Sequence, residues 1–293
     1  MKIRGIDEKR CTKCGSCVTV CPANLFFMEE GKNMPVRQDP NNWCTKCGHC
    51  VSVCRADAVV FEADGKSDIL HRTEDTANCS YEDILAFMRT KRSIRNYLGR
   101  EVPDEEVDAI IEAMRIAPTG HNMQENRYMV IRDRSVIEEL RKQTVRGFRG
   151  FRKVARTRKL LKPFINSHLY GIMNEPGLIE GLDSLIDQYE EGGDPVFHHA
   201  PVLIAVYCPN LGPLSFIDPT IGFTYGMLAA HARGLGTCWI GFAIQALWKN
   251  GKMKKHLGIP KDMIIAGVMT LGYPSVKFHY VPPRNAAQVT LCS

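Results

Sequence analysis

The spacing of apolar residues changes character along the chain. Up to Phe61 the apolar stretches are short: Ala23-Asn24-Leu25-Phe26-Phe27 and Ala56-Asp57-Ala58-Val59-Val60-Phe61 read as small β segments. Residues 62–78 are polar, contain Asp64-Gly65 and lack periodicity, so they are expected to form a linker. That divides the chain into a small domain over 1–64, a linker near 65–79 and a large domain over 80–293. Helical spacing begins beyond it. Ser80-Tyr81-Glu82-Asp83 has the form of a capping box ahead of Ile84, Leu85, Phe87 and Met88. Pro103 opens a second helix with Val107, Ile110, Ile111 and Met114 on one face. Strands are expected at 128–131, 202–207 and 263–271. Residues 218–233 form a helix apolar nearly all round and ended by Gly234, which predicts burial in a core or between subunits. Strands and helices mix without strict alternation, so the fold class is α+β.

Cysteine placement adds chemistry. Of twelve cysteines, eight lie between Cys11 and Cys54, while Cys79, Cys208, Cys238 and Cys292 are scattered. The run Cys11-Thr-Lys-Cys14-Gly-Ser-Cys17-Val-Thr-Val-Cys21 recurs 33 positions later as Cys44-Thr-Lys-Cys47-Gly-His-Cys50-Val-Ser-Val-Cys54, which indicates a duplicated unit. Structural zinc sites pair two short hooks across a longer loop. Four cysteines in eleven residues, twice, instead follow the spacing of bacterial ferredoxins, whose soft thiolates suit iron–sulfur clusters. Residues 1–64 therefore resemble a two-[4Fe–4S] ferredoxin. By that resemblance Cys11, Cys14, Cys17 and Cys54 hold one cluster, and Cys44, Cys47, Cys50 and Cys21 the other. Pro22 follows the first run as in the family, whereas Arg55 stands in place of proline after the second.

In the large domain four short motifs follow one another: Lys91-Arg92-Ser93-Ile94-Arg95, then Ala117-Pro118-Thr119-Gly120-His121-Asn122-Met123-Gln124, Gly234-Leu235-Gly236-Thr237-Cys238-Trp239-Ile240-Gly241, and Gly272-Tyr273-Pro274 leading to Lys277 and Arg284. Each is weak alone. Lys91–Arg95 also suits a solvated helix end, Gly234 a helix C-cap and Cys238 a small core residue. In this order, over about Ser80 to Arg284, they resemble the FMN domains of the nitroreductase family, apart from a variable lid or insertion over about 141–198. The resemblance implies a central mixed sheet flanked by helices in an intertwined homodimer. It implies that Lys91 or Arg92, with Ser93, reaches the FMN phosphate and ribityl chain, since Arg and Lys suit a phosphate dianion. Arg95 would lie near N1 and O2, and Arg284, with Lys277, would complete the phosphate site. Cys238, Trp239, Ile240 and Gly241 would run along the ring, the last two presenting backbone near N5. Pro118, Thr119, Gly120 and Asn122, supported by Gln124, would come from the other subunit. Thr119 replaces the usual serine, and Pro282-Pro283-Arg284 replaces Lys-x-Arg. His121 is a candidate flavin-side contact; His49, His198 and His199 are read as structural.

The net charge is +6, and residues 141–162 hold ten Lys/Arg and no Asp or Glu. No helix-turn-helix, zinc-finger or RNA-recognition motif accompanies this segment, so no nucleic-acid partner is expected. Its apolar positions recur at near-helical spacing, which fits an amphipathic helix with a solvated basic face, or a cationic lid drawing an anionic substrate or an acidic donor protein. No apolar run is long enough to cross a bilayer and no leader is apparent, so a cytoplasmic protein is expected. The combined expectation is an oxidoreductase carrying low-potential electrons through two [4Fe–4S] clusters to FMN, which reduces a nitroaromatic or similar electron-poor small molecule. Ferredoxin is the expected donor because no G-x-G-x-x-G follows a strand. No catalytic side chain is required beyond the flavin. The alternatives are a carrier or regulator passing electrons between proteins, and a reductase of quinones, enones or halogenated compounds.

Overall fold

The computed structural model describes all residues except Lys32, 63–78, 248–249 and Ser293. The expected linker lies almost wholly outside the described residues. The chain forms two compact units, Met1–Cys79 with Thr119–Gln124, and Ser80–Pro118 with Glu125–Ser293.

The first unit is built twice over. Strand β1 (Lys2–Ile6) pairs antiparallel with β4 (Val59–Glu62), and β2 (Phe26–Glu29) with β3 (Met34–Arg37). Two one-turn helices, α1 (Ser16–Thr19) and α2 (His49–Ser52), carry the third cysteine of each run, Cys17 and Cys50. The expected short β segments are β2 and β4. The 33-residue repeat extends to the backbone. Gly15 and Gly48 take left-handed φ of 73° and 77° at the two helix starts, and Lys13 and Lys46 take 62° and 57°. A left-handed turn at Gly15 and Gly48 requires a residue without Cβ strain, which explains the glycine after the second cysteine of each run.

The second unit is a four-stranded sheet in the order β5 (Arg127–Ile131), β6 (Val202–Pro209), β8 (Met263–Gly272), β7 (Gly236–Trp239), between two layers of helices. All three pairings are antiparallel, and a parallel bridge between Ser93 and Thr237 supplies the mixed character. The alternation of β6 splits its side chains cleanly. Leu203 and Ala205 enter a core formed with α5 (Arg134–Arg156), α8 (Leu178–Glu190) and α10 (Gly241–Leu247), while Val202, Ile204 and Val206 enter one formed with α4 (Asp104–Arg115) and α9 (Ile217–Ala232). In β8 the register shifts opposite Val206/Tyr207, leaving Ala266 as an extra residue. The bulge reverses parity: Met263, Ile265 and Val268 share the first core, Met269 and Leu271 the second.

Helix α3 (Tyr81–Thr90) starts on the expected cap, with Ser80 Oγ accepting from the Asp83 N–H at 3.1 Å. None of its residues is buried. Helix α9 buries Phe223, Gly222, Gly226 and Ala230 and leaves Ile217 and Tyr225 exposed, so it is half core and half surface in one chain. Gly234 ends it in a left-handed turn, as the C-cap reading expects. Helices α6 (Arg158–Leu161) and α7 (Ser167–Met173) connect α5 to α8, and α11 (Gly251–His256) precedes β8.

Candidate functional site

In the first unit each run curls around its own cavity. One cavity is lined by Cys11, Cys14, Cys17 and Cys54, the other by Cys44, Cys47, Cys50 and Cys21. The two quartets coincide with the crossed sets that the ferredoxin resemblance implies. Backbone donors already point at the crossing sulfurs: Leu25 N–H to Cys21 Sγ at 3.3 Å and Ala58 N–H to Cys54 Sγ at 3.2 Å, again 33 residues apart. No three His, Cys, Asp or Glu among the described residues close on a single-ion site. Thiols that ring a cavity without converging on a point suit a polynuclear cluster better than one tetrahedral ion. Burial pushes the Cys50 thiol up to about 11 and raises Cys17 too, so their thiolates need a cationic partner to form.

The second candidate lies at the edge of the sheet. The segment after α3 runs beside β7, held by Ile94 N–H to Thr237 O at 2.9 Å and the Ser93–Thr237 bridge, then by Leu98 N–H to Tyr273 O at 2.8 Å and the Tyr97–Pro274 bridge. Gly236 makes the approach possible: a Cβ there would lie 2.6 Å from Ile94 Cγ1. Tyr97, its hydroxyl donating to Ile94 O at 2.8 Å and paired with Thr270 Oγ1 at 2.7 Å, ties the segment to β8, and Thr270 Oγ1 also accepts from the Cys238 N–H at 3.0 Å. This seating places Lys91, Arg92, Ser93, Arg95, Phe278 and Arg284 around one cavity of about 420 Å³, with Arg89 on an adjoining one of about 340 Å³ that Lys91, Arg92 and Arg284 share.

The charge there is unbalanced. Among the described residues no carboxylate pairs with Lys91, Arg92, Arg95 or Arg284. Lys91 Nζ rests against Met227 Sδ at 3.4 Å, and burial is the first cause that lowers its pKa. The Thr237 hydroxyl is buried without a partner. Clustered cations lacking counter-charges, beside an orphaned hydroxyl, form a ready site for a polar anion. The residues therefore fit the phosphate end of a flavin nucleotide.

Not every expected residue joins this cavity. Lys277 does not line it. Cys238 and Ile240 are core residues, and the Trp239 ring packs edge-on against Phe223 at 4.5 Å; Ile240 N–H is engaged by Val268 O. Thr119–Gln124 belong to the first unit. There Asn122 Nδ2 donates to Lys46 O at 2.9 Å and to Thr45 O, and Thr119 Oγ1 accepts from the Gln124 N–H at 3.1 Å. His121, Asn122 and Gln124 all hold left-handed φ, a strained loop for non-glycine residues. Thr237, Phe278 and Arg89 escaped sequence reasoning. Thr237 had a signal, since it follows the Gly234-Leu235-Gly236 turn; the other two carried none.

The basic segment is the helix α5 with its continuation, and its cations are not all free. Arg149 pairs with Glu190 at 2.9 Å, Arg152 and Arg156 both pair with Asp183, and Arg141 pairs with Glu138. The amphipathic-helix reading describes it.

Residues 88–273 match the nitroreductase family, and residues 10–59 match the 4Fe-4S dicluster domain. A Methanothermobacter thermautotrophicus protein, provisionally named NADH dehydrogenase/NAD(P)H nitroreductase, is 26% identical over 197 residues, covering 66% of this chain and 78% of its own. In structure the chain resembles a Bacteroides fragilis nitroreductase with bound FMN (TM-score 0.52, 19% identity, 72% of this chain and 99% of that one). It also resembles a Desulfitobacterium hafniense nitroreductase with bound FMN (TM-score 0.51, 20% identity, 71% and 97%). The fold and the family match define a flavin-dependent oxidoreductase. The chain belongs to the nitroreductase family and carries a ferredoxin-type 4Fe-4S dicluster domain ahead of it.

Proposed function

We propose that this chain is an iron–sulfur flavoprotein reductase in which electrons enter through two [4Fe–4S] clusters and leave from FMN to a nitroaromatic or similar electron-poor small molecule. The observation that carries the reading is the meeting of two four-cysteine cavities and one cavity of uncompensated cations in a single chain of this family. A cubane passes one electron at a time and a flavin stores two, so the pair bridges one- and two-electron chemistry. Lys91, Arg92, Ser93 and Arg284 would hold the phosphate, and Arg95 would stabilise negative charge on the reduced ring. The buried Tyr97–Thr270–Cys238 network holds the strands that carry these residues.

A homodimer completes the reading. In one chain Tyr81, Ile84 and Met88 of α3 are exposed, as are Ile217 and Tyr225 of α9 and the tail residues Tyr280 and Leu291. Apolar surface of that extent supports a partner subunit. Pro118, Thr119 and Gly120 would approach the partner's flavin, while the Asn122 amide is engaged on Lys46 of its own chain. No helix among the described residues is long and apolar enough to cross a membrane; a cytoplasmic location is part of the proposal.

A second donor has a specific support, because the archaeal relative's name includes NAD(P)H. Nitroarene reduction should be measured with reduced ferredoxin and with NADH or NADPH, in the wild type and in Cys47→Ser. Faster turnover with ferredoxin, lost in the variant, is expected. Better turnover with NADPH and full activity in the variant would refute cluster entry. Cluster and flavin reduction with no turnover of any nitroarene, quinone, enone or haloarene would favour an electron carrier.

A further inference from the structure

Away from the cationic site, the second unit contains an open groove of about 850 Å³ between α5, α7, α8 and the start of α10. Phe148, Phe151, Phe242, Ile172, Leu182 and Leu185 supply its walls, and the Phe148 and Phe242 rings meet edge-on at 5.0 Å. Gly177 and Gly181 open it further, since a Cβ at either would meet no atom within 4 Å. The sole polar side chain lining it is Thr144, whose buried hydroxyl donates to Leu140 O at 2.9 Å and is thereby engaged.

Three consequences follow from this lining. No charged side chain lines the groove, so an ionised ligand would find no counter-charge there and is disfavoured. Of the cations on α5, Arg149, Arg152 and Arg156 are paired with Glu190 and Asp183 of α8, and none lines the groove. Size sets a lower limit as well. A benzene-sized molecule fills a dry cavity of roughly 150 Å³, while this space lies near the upper end of ordinary ligand sites, roughly 300–1,000 Å³. A single-ring compound would leave most of it unfilled. Finally, Phe242 follows directly on Ile240 and Gly241, which the family resemblance would set along the flavin ring, although Ile240 itself is buried with its N–H on Val268 O.

We infer that this groove seats the electron acceptor, and that the acceptor is a neutral, apolar molecule of several fused rings. The inference rests on the reductase reading above, and replaces the anionic substrate that the charge of residues 141–162 suggested.

Equilibrium dialysis of the flavin-loaded full chain with methyl anthracene-9-carboxylate and with anthracene-9-carboxylate tests the site without turnover. The neutral ester should bind at least about tenfold more tightly than the anion. Gly181→Leu should weaken the ester by about tenfold or more by filling the groove. Gly150→Leu, on exposed α5 surface where a Cβ also meets nothing within 4 Å and outside the groove lining, should leave it unchanged. Equal binding of ester and anion, or equal behaviour of the two variants, would overturn the site. A changed sedimentation coefficient in Gly181→Leu would assign the groove to a subunit contact and overturn it too. The same variant should raise KM for 9-nitroanthracene, whereas Gly150→Leu should leave its KM and kcat unchanged. Lost ester binding with an unchanged KM would overturn the acceptor role. Intact ester binding with no turnover of any acceptor would refute the reductase reading and leave the ligand site standing.

Discussion

Replacing Gly236 by alanine adds one methyl group to β7 and should disturb the flavin site from beneath. The new Cβ would lie 2.6 Å from Ile94 Cγ1, 2.8 Å from Ile94 Cβ and 2.9 Å from Ile94 Cγ2. These atoms span the base of the side chain, so no rotation of a flexible tip relieves the clash. Ile94 is β-branched and stiff at χ1, it is 7% exposed, and its N–H is fixed to Thr237 O at 2.9 Å. The strand bearing Ser93 and Arg95 must therefore move away from β7. Overpacking of this kind costs about 1–3 kcal/mol, which for a unit of this size lowers Tm by roughly 2–12 °C. FMN affinity should fall with it, because the displaced segment carries the cations. Calorimetry on apo and FMN-loaded protein, with a fluorescence titration of FMN, reads both effects. Ile94→Ala alone should destabilise by about 2–5 kcal/mol, yet combined with Gly236→Ala the sum should fall short by about 0.5–3 kcal/mol as the clash is relieved. A Gly236→Ala protein with unchanged Tm and unchanged FMN affinity would refute the claim that this contact seats the flavin segment.

Anaerobically purified protein should contain about eight irons per chain, and Cys14→Ser should lose about four while keeping its flavin; zinc in their place, by elemental analysis, would overturn the cluster assignment. Lys91→Met should weaken FMN binding by about 1.5–3 kcal/mol, roughly ten- to hundredfold, with the deficit shrinking at high salt in an ultrafiltration assay. His198 and His231 are held below their ordinary value, burial being the first cause in each. The unfolded chain then binds more protons than the folded one between the lowered values and about 6.5, so stability should be full above that range and decline as pH falls through it. Urea midpoints at pH 7.5 and 5 should converge in the His198→Asn, His231→Asn double variant, and an undiminished difference would place the acid sensitivity elsewhere.

Much of the cluster unit was readable because its constraints are local. A cysteine at fixed spacing, a glycine that must turn left-handed and a following apolar pair all fall within a few residues, and repetition 33 positions later doubles the signal. The strands and α9 were readable for a related reason: β6 and β8 are buried on both faces, so their apolar runs are continuous, and the true limits differ from the expected ones by only a residue or two. Seating of the flavin segment was half visible. The motif pointed to Lys91–Arg95 as a candidate, but not to Gly236 and Tyr97 holding it, since those contacts join residues about 140 and 170 positions apart. The bulge at Ala266 had no local mark, because only the partner strand shows that a residue is in excess.

Charge was the most misleading signal, for a physical reason. Between 141 and 162 the sequence holds cations alone, and a window of that length suggests a field that attracts anions. The carboxylates that answer it stand on α8, at Asp183 and Glu190, and reach α5 only because Leu182 and Ile186 pack into the same core as Val145 and Phe148. Packing thus decides the electrostatics: the apolar faces that bring α5 and α8 together also neutralise part of their surface. The same contacts that shape the apolar groove between these helices answer Arg149, Arg152 and Arg156, three of the ten cations between 141 and 162.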